Sequence, residues 1–243
     1  GDVKKFGKQA KVIHIEIDPV EIDKVVKTEV GVLADAKEAL EALLPLLNDN
    51  KHTEWINTFK ELDKQEQEKV IQPAIHPNAG GIKMGEIMHL INEKTKGNAI
   101  IVPDVGQHQM YAMRYYDYNN TNSWVSSGGL GTMGFALPAA IGAQMAAPDR
   151  TVVAIIGDGC FQMTIQELGT IWQNKLPIKT VIFNNNYLGM VRQWQQLFFD
   201  KRYSSVALTN PDFVAISKGF GIEATKVDLR ANLSKALDIM FAH

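Results

Sequence analysis

One cysteine, Cys160, in 243 residues leaves no partner for an internal disulfide, so no covalent staple or intrachain redox pair is available; a lone thiol fits a reducing compartment. No apolar run reaches the roughly 18 residues a membrane-spanning helix needs, and no signal-peptide pattern opens the chain. Charge of one sign is also missing: 25 Lys and Arg stand against 27 Asp and Glu, a net charge of −2, which removes the electrostatic case for nucleic acid or an anionic membrane. Repeats and low-complexity tracts are absent too. What remains is an ordinary globular composition, 45% hydrophobic and 21% charged. The length fits one large α/β domain, or one domain plus a fragment of another. The chain opens at Gly1-Asp2-Val3 without Met and is expected to be an excised piece of a longer protein.

Residues 10–18 are rich in β-branched side chains and read as a strand stopped by Pro19. A second short strand near Val30–Leu33 leads to Asp35 as the N-cap of a helix over Ala36–Leu47, with Ala39, Leu40, Leu43, Leu44 and Leu47 on one face. This β-α-β-α remnant, residues 1–47, is too small to enclose a core. Residues 48–75 read as a linker with a solvated helix over Glu54–Lys69, and His76-Pro77-Asn78-Ala79-Gly80-Gly81 opens a second domain, residues 76–243. From there strands and helices alternate. Ala99–Asp104 is a strand interrupted by Pro103, and Thr151–Gly157 is a continuous apolar strand of the kind covered on both faces. Ile165, Leu168, Ile171 and Trp172 mark one helix face, and Ile178–Phe183 is the next buried strand, completing a right-handed βαβ unit. Thr209-Asn210-Pro211 starts a helix that ends at Gly219 or Gly221, and a last helix runs from about Arg230 to His243. The expected architecture is α/β, a doubly wound and mostly parallel sheet preceded by a fragment of a second α/β domain.

Chemistry gathers at two strand ends. Gly157-Asp158-Gly159 closes one buried strand and Asn184-Asn185-Asn186 the next, with 27 positions from Asp158 to Asn185. In open α/β sheets ligands bind at the strand carboxyl ends. Asp158 offers a hard carboxylate, Asn185 a neutral amide oxygen, and the following loop a backbone carbonyl. With two diphosphate oxygens and a water, these complete the near-octahedral oxygen shell of Mg²⁺. The glycines admit close approach of a phosphate, and a helix expected from near Phe161 directs its N–H groups toward it. Taken singly, Gly-Asp-Gly is a turn and an Asn run a loop. It is their pairing on one βαβ unit that carries meaning.

Three further stretches narrow the reading: Gly106-Gln107-His108-Gln109-Met110, Gly128-Gly129-Leu130-Gly131-Thr132-Met133-Gly134 and Gly189-Met190-Val191-Arg192-Gln193-Trp194. Together with the strand-end pair they resemble the thiamine-diphosphate-dependent acetohydroxyacid synthase (acetolactate synthase) catalytic subunits. The resemblance runs from about residue 80 to the end and is most specific over residues 126–200. It implies that Asp158, Asn185 and the backbone carbonyl of Tyr187 are metal ligands. It also implies that Gln107 and His108 contact the diphosphate end, and that Met133 is the apolar wedge bending the cofactor. Gly106, Gly131, Gly157, Gly159, Cys160, Gly189 and Met190 are implied as further cofactor-binding positions, and Met190, Val191 and Trp194 as lining the substrate approach. The first 47 residues resemble, more weakly, the end of the middle domain that holds FAD in that family, where Glu16 and Asp35 match positions near the flavin. Each assignment has a plainer rival. His108 alone reads as a surface or core histidine, Met133 as core filler, and Trp194 with Phe198 as the buried stripe of a helix. Cys160 reads as packing and Glu167 as a surface or interface residue.

The implied reaction is decarboxylation of pyruvate and condensation of the two-carbon unit with a second 2-oxo acid, a step of branched-chain amino acid biosynthesis. The implied cofactors are thiamine diphosphate and Mg²⁺, with FAD in the full-length enzyme. A homodimer or tetramer is implied, with a regulatory small subunit as a further partner. The implied location is the cytoplasm in a bacterium, or an organelle in a eukaryote. The glutamate that activates the aminopyrimidine ring comes, in the family, from the N-terminal domain of a neighbouring subunit. No segment here reads as that domain, so no catalytic residue is assigned and these residues alone are expected not to turn over pyruvate. Two alternatives stand beside this reading. One is another thiamine-diphosphate enzyme, such as a pyruvate oxidase or a 2-oxo acid decarboxylase; the other is a non-catalytic module on the same fold.

Overall fold

The computed structural model describes residues 2–243, and the chain divides into two compact units, Gly1–Lys60 and Glu61–His243. In the first, strands β1 (Ile13–Glu16) and β2 (Val30–Leu33) pair in parallel with Ile13 opposite Val30 and Glu16 opposite Leu33. Helix α1 (Ala36–Leu43) follows, and Asp35 caps it by accepting from the N–H groups of Lys37 and Glu38. Helix α1 stops four residues short of the expected Leu47 because Pro45 tightens the next turn into a 3₁₀ helix over Leu44–Leu46. No described residue of this unit is buried, so its strands supply a half-built apolar surface rather than a core. Helix α2 (Thr53–Glu66) spans the unit boundary and runs through a π turn into α3 (Gln72–Ile75), several residues beyond the expected helix end.

The second unit is built on a parallel sheet in the order β3-β4-β5, with β3 at Ile100–Pro103, β4 at Val152–Gly157 and β5 at Lys179–Phe183. All six residues of β4 are buried, as its central place requires. Pro103 is tolerated because β3 is an edge strand, where a missing N–H costs no ladder bond. Strand alternation then separates two cores. Val152, Ala154 and Ile156 face a layer made by Ala136, Leu137 and Ala140 of α6 (Ala136–Ala146) with Phe161, Leu168, Ile171 and Phe213. Val153 and Ile155 face Met88 and Ile91 of α4 (Met84–Thr95), Ala112 of α5 (Gln107–Tyr115), and Leu233 and Leu237 of α11 (Leu233–Ala242). Helices on both faces of a parallel sheet make the doubly wound arrangement expected from the sequence.

Several local expectations need correction. The helix after β4, α7 (Asp158–Met163), begins at Asp158 itself and not near Phe161. The crossover helix α8 (Glu167–Gln173) buries Leu168 and Ile171, but Trp172 is 59% exposed and its ring edge lies over Gly221, whose left-handed backbone leaves room for it. Helix α10 (Phe213–Gly219) is capped by Asp212, which accepts from Val214 and Ala215 N–H; the Thr209-Asn210-Pro211 cap is not formed, because Asn210 is engaged elsewhere.

Candidate functional site

An open cleft lies at the carboxyl ends of β4 and β5, lined by Met84, Val105–His108, Met133, Gly157–Cys160, Phe183, Asn185 and Tyr187–Val191. Three loops from separate parts of the chain meet here because the parallel sheet delivers every strand end to one side. Of the residues singled out from the sequence, Gly106, Gln107, His108, Met133, Gly157, Asp158, Gly159, Cys160, Asn185, Tyr187, Gly189, Met190 and Val191 line this cleft. Gly131 and Trp194 do not. Gly131 lies in an exposed turn with nothing near the place a Cβ would occupy. Trp194 stacks on Phe198 along helix α9 (Gly189–Phe198), and both are more than half exposed, so they form no buried stripe either.

Asp158 is 2% exposed, and both of its oxygens accept hydrogen bonds. Its Oδ1 accepts from Gly159 N–H at 3.0 Å, and its Oδ2 accepts from Asn186 N–H at 2.7 Å and from the Asn210 amide at 2.7 Å. Asn186 adopts a left-handed backbone, φ 60°, which turns the chain sharply after β5. That turn brings Tyr187 N–H to within 3.0 Å of the Asn185 side-chain oxygen. The loop is then held by an antiparallel bridge: Leu188 N–H donates to Val206 C=O and Leu208 N–H to Asn186 C=O, each at 2.8 Å.

His108 and Asp104 form the floor. Gly157 N–H donates to Nε2 of His108 at 3.3 Å, an interaction that requires this nitrogen to be unprotonated. Burial penalises the imidazolium and lowers the His108 pKa to about 4, with the carboxylates of Asp104 and Asp158 opposing the shift. Asp104 is completely buried. Its two oxygens accept from the N–H groups of Val105, Gly134 and Ala136 at 2.8–2.9 Å, tying the Gly-rich loop that carries Met133 to the end of β3. No sequence spacing singled out Asp104; the one available signal was an acid closing an apolar strand just before a glycine. The Cys160 thiol donates to Val105 C=O at 3.2 Å, and burial, then the Asp104 charge, pushes its pKa up, so it stays a neutral thiol. Asp104, His108 and Cys160 lie within 4.8 Å of one another. They form a hydrogen-bonded floor, in which both Asp104 oxygens accept backbone N–H groups and the thiol donates to Val105 C=O.

The glycines explain the cleft's shape. A Cβ on Gly157 would lie 2.7 Å from the His108 ring, and one on Gly106 would lie 2.8 Å from it, at a φ of +151° that side chains resist. A Cβ on Gly189 would meet the side-chain oxygen of Gln107 at 2.5 Å, while the Gln107 amide donates to Gln193 at 2.9 Å. At all three positions the missing side chain lets His108 or Gln107 pack against backbone.

Residues 104–243 match the profile of the thiamine pyrophosphate enzyme C-terminal TPP binding domain, and residues 1–43 match the thiamine pyrophosphate enzyme central domain. The chain is 44% identical over 241 residues to an acetolactate synthase large subunit of Lactococcus lactis, covering 97% of this chain and 40% of that protein. It is 43% identical over 239 residues to the acetolactate synthase large subunit of Corynebacterium glutamicum, covering 93% and 37%. Against the chloroplastic acetolactate synthase 2 of Zea mays it is 41% identical over 256 residues, covering 99% and 39%. The chain thus spans about two fifths of the length of the curated relatives it matches.

Proposed function

This chain belongs to the thiamine pyrophosphate enzymes, and on that premise we propose that it carries the diphosphate- and Mg²⁺-binding half of an acetolactate synthase. The observation that carries the reading is the convergence of Asp158, Asn185 and Tyr187 in one glycine-walled cleft at the ends of β4 and β5. The donor set suits a hard divalent cation: a carboxylate, an amide oxygen and a backbone carbonyl are all oxygen ligands, as Mg²⁺ prefers. Gly106, Gly157 and Gly189 let His108 and Gln107 pack directly against backbone at the cleft wall, and a diphosphate is proposed to lie in the cleft beside them.

Thiamine diphosphate, when bound, supplies an electron sink for carbon–carbon bond cleavage beside a carbonyl. The protein's own part is positional. Asp158, Asn185 and the Tyr187 carbonyl would hold the cation, which would offset the charge of the diphosphate. Neutral His108 accepts from Gly157 N–H and so keeps it in place. Met133, half-buried against the α6-side core, presents an apolar surface over the cleft beside Gly159, with 3.9 Å between its methyl carbon and the place of a Gly159 Cβ. Met190 and Val191, on the first turn of α9, line the side from which a small 2-oxo acid approaches. Asp158 is the only acidic side chain among the described residues lining the cleft, and it is committed to the cation. In the family the carboxylate that activates the aminopyrimidine ring comes from the N-terminal domain of a neighbouring subunit, and since no segment here reads as that domain, these residues alone are expected not to turn over pyruvate.

The same premise extends to the rest of the molecule. Residues 1–47 are read as the end of the central domain, 48–75 as a linker and 76–243 as the cofactor domain. The acceptor is a second 2-oxo acid, and the working assembly is a dimer or tetramer of catalytic subunits that admits a regulatory small subunit, cytoplasmic in a bacterium. FAD belongs to the full-length enzyme and not to this portion. Glu16 spends its carboxylate on the N–H groups of Ile17 and Asp18, Asp35 caps α1, and the unit around them has no buried residue. The deciding experiment supplies the full-length chain with pyruvate, thiamine diphosphate and Mg²⁺ and identifies the product by NMR. Acetolactate supports the proposal; acetaldehyde, acetyl phosphate or no product refutes it.

A further inference from the structure

Asn210 lies 52 positions from Asp158 in sequence, in a segment read from its composition as a helix cap, yet its amide nitrogen sits 2.7 Å from Asp158 Oδ2. The amide's orientation is fixed from its other end, where its oxygen accepts from Gln162 Nε2 at 2.9 Å, so the nitrogen must face the carboxylate. The same nitrogen reaches the side-chain oxygens of Asn184 at 2.8 Å and Asn186 at 3.1 Å, linking the two loops that close the cleft. Backbone zipping of residues 206–208 onto 186–188 delivers Asn210 to this spot.

The consequence lies in which oxygen of Asp158 remains free. Oδ2 takes both Asn186 N–H and the Asn210 amide, which occupies the acceptor sites of an sp² oxygen. Oδ1 takes only the N–H of its neighbour Gly159, and keeps one lone pair. We infer that Asn210 is a positioning residue that locks Asp158 into offering a single oxygen to the cation, and so biases the site toward Mg²⁺ over Ca²⁺. Calcium accepts carboxylates through one or both oxygens in a flexible shell, whereas Mg²⁺ demands a rigid octahedron in which a carboxylate gives one oxygen. The inference rests on the reading of Asp158 as a cation ligand.

The test titrates Mg²⁺ and, separately, Ca²⁺ into the full-length chain with saturating thiamine diphosphate, following quenching of tryptophan fluorescence. It compares the native chain with Asn210→Leu and Asn210→Asp, with thermal unfolding of each cation-free protein as the control for folding. Losing a hydrogen bond to a charged acceptor raises half-saturating Mg²⁺ about tenfold in Asn210→Leu. Half-saturating Ca²⁺ moves much less, because the freed Oδ2 becomes a second ligand, so the Mg²⁺/Ca²⁺ preference falls. Asn210→Asp, nearly unchanged in shape, tightens both cations through its added charge but loses the same preference. A preference unchanged in both variants overturns the inference while leaving the cation site intact. A native chain whose cofactor binding needs no divalent cation overturns the underlying reading as well, and the two failures are told apart by that first titration.

Discussion

Replacing Asp104 with Leu removes the acceptors at a fully buried position while keeping the side chain's branching. The structure sets the size of the effect. Three N–H groups, those of Val105, Gly134 and Ala136, lose their partner, and the bonds to Gly134 and Ala136 are themselves buried. An unsatisfied buried donor costs about 1–3 kcal/mol. Two such donors give about 4 kcal/mol, and relief from burying a carboxylate returns part of it, for a net loss of about 3 kcal/mol. That is a large share of the roughly 5–15 kcal/mol that holds a domain folded. Asp104→Asn keeps one carbonyl acceptor but turns its NH₂ toward a backbone N–H, so it falls between native and Leu. Urea unfolding measures both, with the midpoint separating stability from any change in slope. Limited proteolysis adds a local readout, since the loop through Gly128–Met133 loses its tether to β3 and is cut faster. A Leu variant losing under about 1 kcal/mol, or one whose loop is no more susceptible, refutes the assignment of Asp104 as the anchor of the Met133 loop.

Two further perturbations follow from the floor of the cleft. Because the folded pKa of His108 lies near 4, below the unfolded 6.5, the unfolded state takes up the proton first; stability is intact above 6.5 and drains away as pH falls toward 4. The shift corresponds to at most about 3 kcal/mol, and His108→Gln flattens that part of the stability–pH curve; equal slopes for native and variant between pH 6.5 and 4 contradict it. Gly157→Ala drives a methyl to 2.7 Å from the packed His108 ring and costs about 2 kcal/mol, whereas Gly159→Ala meets the methyl ends of Leu188 at 2.7 Å and Leu208 at 3.2 Å, which can rotate away, and costs less. Chemical denaturation that ranks the two in the opposite order counts against this description of the cleft wall.

The sheet was legible because its strands announce themselves. Thr151–Gly157 is uninterrupted and apolar, and a strand of that kind has to be covered on both faces. The strand ends were legible as a pair, since Gly157-Asp158-Gly159 and the Asn184–Asn186 run are each an ordinary turn or loop alone but close two strands of one βαβ unit. What the sequence hid was long-range satisfaction of polar groups. Asp104 follows a proline and resembles a loop residue until three N–H groups from two segments are seen pointing at it. Asn210 sits in Thr-Asn-Pro-Asp, where three of four residues are good caps, and only the fold reveals that Asp212 caps the helix while Asn210 turns toward Asp158. Exposure was equally hard to read. Trp172, Trp194 and Phe198 have helical spacings that normally mean burial, and all three are more than half exposed.

The account stands or falls on one shared cation between two strand ends. Crystals of the full-length chain grown with thiamine diphosphate and Mn²⁺, measured by anomalous diffraction, address this directly. The account predicts one strong peak about 2.1–2.3 Å from Asp158 Oδ1, the Asn185 side-chain oxygen and the Tyr187 carbonyl, with diphosphate oxygens on its open side. A peak bound by the diphosphate alone, or by other side chains, would contradict it.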